Sequence, residues 1–154
     1  MLDRLFPKQI DNNYRGYWLA LGIFALLVFV RAGQSVKTLV DTRNTAMTTD
    51  GIPVDTYDPA TAQIVLTMFA LLGLNLLVLP ILGVVALARY RAMIPLLFLM
   101  FLLLQISGRV LAFIHPAATP PGSPPIGAIV NLGVFGMVII GFFLSLQDRA
   151  KWKA

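Results

Sequence analysis

Polar and apolar positions fall into long blocks along this chain. No charged side chain lies between Arg15 and Arg31, between Asp58 and Arg89, between Arg91 and Arg109, or from Val110 to Gln147. Inside these blocks the apolar residues run continuously instead of alternating, which suits helices in hydrocarbon and not barrel strands. A hydrocarbon core ~30 Å thick takes roughly 20 helical residues to cross. The first three blocks each seed one such helix. The last is interrupted by His115-Pro-Ala-Ala-Thr-Pro-Pro-Gly-Ser-Pro-Pro125, and so many prolines cannot sit in a helix interior, because each removes a donor and clashes with the preceding turn. It therefore holds the end of one helix, a loop and a further helix.

The pattern predicts an all-α integral membrane protein, a four-transmembrane-helix bundle forming a single domain over residues 1–154. The spans are expected at 17–37, 60–88, 93–114 and 126–147, with outer loops at 38–59 and 115–125. Asp58-Pro59 marks a helix start, with a capping carboxylate followed by a proline at the first helical position. Pro80 is expected to kink the second span, whereas Pro95 falls harmlessly in the first turn of the third. No two glycines stand four apart, so the best-known glycine dimer motif is absent. Gly133-Val-Phe-Gly136 is instead expected to mark close helix packing.

Charge sets the orientation. Arg4, Lys8, Arg15, Arg89, Arg91, Arg149, Lys151 and Lys153 all fall on one side of these spans. The other side carries Lys37 and Arg43, offset by Asp41, Asp50, Asp55 and Asp58. The positive-inside rule therefore makes both termini cytoplasmic. Tyr14, Tyr17, Trp18, Tyr90 and Trp152 gather at the same inner interface, where amphipathic rings prefer to sit. The uncharged apolar stretch of the first span ends in Val30-Arg31-Ala32, without the small-residue site of a cleavable signal, and the span reads as an uncleaved anchor.

Composition narrows the chemistry. Charged residues make up 12% of the chain and apolar ones 58%, against about 25% charged in an ordinary soluble domain. There is no cysteine, no glutamate and one histidine. Disulfides and thiolate chemistry are thereby excluded, and neither a metal centre nor another cofactor is expected. No aspartate lies inside a span, so the usual carboxylate relay of a proton-coupled pump is missing. No nucleotide loop or nucleophile elbow occurs, and no catalytic residue is assigned. The net charge of +5 is largely the orientation signal, spread over short flanking segments, and gives no support to nucleic-acid binding.

The candidate site is a pair of membrane-embedded arginines. Arg31 lies six residues before the expected outer end of the first span and Arg109 five before that of the third, so both are expected at matching depth. Gln34, Ser35 and Thr38 share Arg31's face by helical spacing, and Gln105 stands one turn below Arg109. Gln63 and Thr67 occupy the outer half of the second span, Asn131 that of the fourth, and Asn75 lies near mid-membrane. One reading is an outward-facing polar pocket formed by Arg31, Arg109, Gln34, Ser35, Gln105, Asn131, Gln63 and Asn75, in which guanidinium forks hold a phosphate or carboxylate. The other is structural: the arginines snorkel or pair with the loop aspartates, and the amides join helices. His115 reads as a helix-end or interface residue. Asp55-Thr-Tyr-Asp58 is too sparse for calcium, and the 38–59 loop, with turn chemistry at Thr49-Asp-Gly-Ile-Pro53, is expected to fold over the bundle mouth.

Three functions fit these features. The first is a non-enzymatic accessory or interaction subunit, partnered in the lipid bilayer by other membrane subunits or by itself as a homo-oligomer. The second is binding or transport of a small anionic or amphipathic, lipid-like ligand around Arg31 and Arg109. The third is a lipid-directed enzyme, which would need a base and finds only His115 and the loop aspartates. The chain is not expected to be an enzyme. Size, topology, the missing cysteines and the absence of an Asn-x-Ser/Thr sequon fit a bacterial plasma (inner) membrane.

Overall fold

The computed structural model describes residues 5–7, 9–114 and 126–147. Among them every regular element is helical, and four helices are long and apolar enough to cross a membrane. They are α1 (Trp18–Val40), α2 (Pro59–Arg89), α3 (Ile94–Ile114) and α4 (Ile126–Leu146). The expected 115–125 loop, including His115, and the basic positions Arg4, Lys8, Arg149, Lys151 and Lys153, with Trp152, lie outside the described residues.

Each helix starts or stops for a local reason. Asp58 caps α2 as its spacing predicted: the carboxylate accepts from the backbone N–H of Ala60 at 3.1 Å and of Thr61 at 3.2 Å, with Pro59 at the first helical position. The Thr61 side chain foremost, together with these backbone bonds, holds the Asp58 carboxyl below the usual carboxylate range. At its other end Arg91 Nε donates to the Leu87 carbonyl at 2.9 Å, placing a cation on the negative end of the helix. α2 continues through Pro80 as a single element. The proline offers no N–H to the Leu76 carbonyl. α1 runs past Lys37 to Val40; a lysine in a last turn favours the helix dipole and does not mark its end.

α1 is the hub of the bundle. It packs along α2 on one flank and α4 on the other, and α3 closes the ring against α4 and, less extensively, α2. Across the diagonal, Phe24 of α1 meets Phe98 of α3 edge-on, with centroids 5.0 Å apart, and Phe101 at 6.3 Å. Around this cluster Ala20, Leu27, Ala86, Ile94 and Val138 are fully or almost fully buried. Close approaches occur at Gly83, where a Cβ would strike Val28 of α1, and at Gly141, where it would strike the Phe98 ring. The expected close packing at Gly133 and Gly136 is corrected: both face open space. They stand one position before and two after Val134, the buried residue of that stretch, and so lie on other sides of α4.

The apolar core fills the end of the bundle that carries the N-terminal segment and the α2–α3 turn. There Tyr17 N–H donates to the Leu144 carbonyl at 3.3 Å, and Ala92 N–H to that of Asp11 at 3.2 Å. Tyr14, Tyr17, Trp18 and Tyr90 gather at this end. Burial pushes the Tyr14 hydroxyl above its ordinary pKa.

The α1–α2 connection is not irregular throughout. It forms a helical turn at Thr42–Asn44, a π-helical turn at Thr45–Thr49 and a 3-10 turn at Val54–Thr56. Gly51 has φ +69°, a left-handed conformation that glycine adopts without strain. Thr45, Ala46 and Val54 are buried, so this segment folds down onto the mouth of the bundle.

Candidate functional site

The loop half of the bundle is hollow where the other half is packed. A cavity of about 210 Å³ lies between the helices there. α1 contributes Arg31, Gln34, Ser35 and Thr38, while Gln105 comes from α3 and Asn131 from α4. Leu76 and Leu79 of α2 and Phe101 and Leu104 of α3 form its apolar wall. A wider cavity of about 410 Å³ shares Arg31, Gln34, Thr38, Leu76 and Asn131 with it and reaches Lys37, Thr45, Thr49 and Asp50 under the folded loop.

Arg31 is the charged group of the inner cavity. It stands nine residues before the end of α1, ~13.5 Å along the axis at 1.5 Å per residue, and is therefore deeper than its sequence position beside Lys37 suggested. Its Nη1 donates to Gln34 Oε1 at 2.9 Å and to Asn131 Oδ1 at 3.1 Å. Asn131 is further tied to α3, because Gln105 Nε2 donates to its backbone carbonyl at 3.5 Å. The network thus links α1, α3 and α4 through neutral acceptors.

No loop aspartate neutralises this guanidinium. The ion pairs among the described residues are Arg15–Asp11 and Arg43–Asp55. Asp41 accepts from the Asn44 amide, and Asp58 caps α2. Asp50 alone reaches the wider cavity, where burial pushes its carboxyl above the ordinary carboxylate range. The cavity therefore holds a cation, within helices long and apolar enough to cross a membrane, whose partners are dipoles. Such a charge is costly in a low-dielectric interior, and a guanidinium with open donors is suited to an incoming phosphate or carboxylate.

Of the residues that the sequence singled out, Arg31, Gln34, Ser35, Gln105 and Asn131 converge. Arg109, Gln63 and Asn75 do not. Arg109 is exposed and lies over the Phe135 ring at 4.4 Å, a cation–π contact on the flank of the bundle. From Ile106 through Ile114 every residue of α3 is exposed, and Arg109 meets α4 at Phe135 and not at the cavity. A site with two arginines is thus corrected to a site with one. Gln63 is exposed on the first turns of α2. Asn75 is exposed too, one position round the helix from the cavity-lining Leu76.

Sequence reasoning expected the 38–59 loop over the bundle mouth but missed the apolar wall and which loop residues reach the cavity. Phe101 had a signal, standing one turn before Gln105 on the same face. Thr45 and Thr49 had none, since only the folding back of their segment brings them, with Asp50, to the cavity of Arg31. The chain matches no protein-family model, no curated protein and no solved structure.

Proposed function

We propose that this protein binds an amphipathic anion, with a phosphate or carboxylate head on Arg31 and an apolar tail against the Leu76–Phe101 wall. The observation that carries the reading is the Arg31 guanidinium, half-buried in the cavity, bonded to two neutral amides and paired with no carboxylate among the described residues. The apolar wall beside it distinguishes an amphiphile from a free inorganic ion. No general base stands among the inner-cavity residues, which supports binding or presentation of the ligand and not its chemical conversion.

The excess of Arg and Lys at the terminal end supports a cytoplasmic position for both termini. The cavity then opens toward the outer leaflet of a bacterial plasma membrane. A bound lipid-like anion also suits an accessory subunit that presents it to a neighbouring membrane protein.

Calorimetric titration of the purified protein in a non-ionic detergent tests the reading. Dodecyl phosphate is expected to bind saturably, while inorganic phosphate and dodecyltrimethylammonium do not. Arg31→Gln is expected to weaken dodecyl phosphate at least ten-fold. Binding of inorganic phosphate alone would replace the amphiphile by a free anion. Equal binding of both dodecyl compounds, or an unaffected Arg31→Gln, would reject the site.

A further inference from the structure

Asn75 is unexplained by the cavity. It sits at the middle of α2, fourteen residues from Arg89, and is exposed on the outside of the bundle. Its Nδ2 donates to the Leu71 carbonyl at 2.9 Å. Among the described residues its Oδ1 accepts from nothing, and one amide hydrogen is left without an acceptor. In hydrocarbon there is no water to satisfy them.

The residues around Asn75 follow a heptad. Ile64, Met68, Leu71, Asn75, Val78, Leu82 and Val85 are spaced alternately by four and three positions, the 3.5-residue repeat of a coiled-coil seam. With Met68, Asn75 and Leu82 at a, the residues Ile64, Leu71, Val78 and Val85 fall at d. The six apolar members are 45–64% exposed, so none of the described residues covers the seam. It spans 22 residues, ~32 Å of helix, the full thickness of the hydrocarbon core. It is a different face from the one that Gly73, Pro80 and Gly83 bury.

We infer that this seam is the interface with a second copy of the chain, paired in parallel through α2, with Asn75 hydrogen-bonded to Asn75 across the two-fold axis. The occupant follows from the geometry of a membrane. Two copies share one orientation and one depth, so a two-fold axis along the membrane normal sets each α2 residue beside its own counterpart. A carboxamide is both donor and acceptor and satisfies its twin. A single asparagine at an a position fixes register and strand number in such seams, and interhelical amide bonds join helices in lipid. A different partner would need its own polar group placed at this depth. The inference does not depend on the Arg31 site, and either can fail alone.

The absence of native cysteine makes the test direct. Single-cysteine variants of the full chain in phosphatidylcholine vesicles are oxidised and resolved by size. Leu71→Cys, Val78→Cys and Leu82→Cys are expected to give disulfide dimers; Ile81→Cys and Val84→Cys, exposed on another face of α2, are not. In parallel, the dimer fraction is read by energy transfer between labelled copies as the protein-to-lipid ratio is varied. Asn75→Ala is expected to weaken association ~10-fold, from two reciprocal bonds of the usual strength in lipid. Circular dichroism of each variant checks that the helices are retained, and the cysteine pattern stands without the Asn75 variant. A monomer at every ratio would overturn the inference and leave the seam to another protein. Cross-linking at Ile81 or Val84 instead of the seam, or an Asn75→Ala variant that associates like the parent, would overturn it equally.

Discussion

Replacing Arg31 by methionine separates a residue kept for a ligand from one kept for the fold. On the reading of a membrane-spanning bundle, the substitution removes a charge whose insertion cost is about 2.5–3.5 kcal/mol at a helix centre. It also removes the bonds to Gln34 and Asn131, at 2.9 and 3.1 Å. A polar atom left unpaired costs about 1–3 kcal/mol. Here the loss is limited, because both amide oxygens accept from the same nitrogen, and without it one amide can donate to the other. The terms nearly cancel: Arg31→Met is expected to change the stability of the unliganded protein by less than about 1.5 kcal/mol. Its affinity for dodecyl phosphate, by contrast, should fall by ten-fold or more, since a hydrogen bond to a charged group contributes about 1.5–3 kcal/mol. Thermal unfolding in non-ionic detergent, followed by circular dichroism with and without dodecyl phosphate, reads both quantities. The parent should be stabilised by the ligand and the variant should not. A variant that loses more than about 3 kcal/mol yet keeps its ligand-induced shift would show that Arg31 is a clamp between helices, and the reasoning from its missing counterion would be refuted.

Other outcomes follow from neighbouring features. Arg109→Gln removes an exposed cation–π contact with Phe135; it should cost no more than about 1 kcal/mol in the same melt and leave the titration with dodecyl phosphate unchanged. An alkyl sulfonate, whose own charge does not vary with pH, should bind more tightly as pH falls toward the ordinary carboxylate range. Protonation of Asp50, whose carboxyl burial raises, removes a negative charge from the cavity containing Arg31 and Lys37, and Asp50→Asn should flatten that profile. The same shift means that folded Asp50 holds its proton more firmly than the unfolded chain does, so stability should decline as pH rises from the ordinary value through the raised one. Gly141→Leu, which drives a side chain into the Phe98 ring, should destabilise by about 1–3 kcal/mol. Gly133→Ala meets open space and should stabilise by about 0.5–1 kcal/mol through helix propensity.

The four helices were legible because their signals are local. A run free of charge, an Asp-Pro pair and a cluster of prolines each act on their own few residues, and the expected starts and ends of α2, α3 and α4 agree with the structure to within a residue or so. The end of α1 was not legible in the same way. Lys37 looked like a boundary, but a lysine can sit in a last helical turn and reach water from there, so Thr38, Leu39 and Val40 remain helical.

Which residues form the site depended on how the helices are rotated and where they part. Arg31 and Arg109 are equivalent in the sequence, each an arginine near the end of an apolar helix with a glutamine on its face. Packing separates them: α1 is held on two flanks and turns Arg31 toward the cavity, whereas the residues of α3 beyond Gln105 are exposed and Arg109 lies on the Phe135 ring. Leu76 and Asn75 show the same limit in the opposite sense, since the leucine lines the polar cavity and the asparagine faces outward. A helix that is apolar on all sides carries almost no amphipathic signal to set its rotation. The number and length of the helices therefore follow from hydropathy and from proline and charge, which act along the chain. The placing of Arg31 beneath the loop threonines and Asp50 follows from close approaches at Gly83 and Gly141 and from the Phe24–Phe98–Phe101 cluster, contacts between residues far apart in the chain that no local pattern encodes.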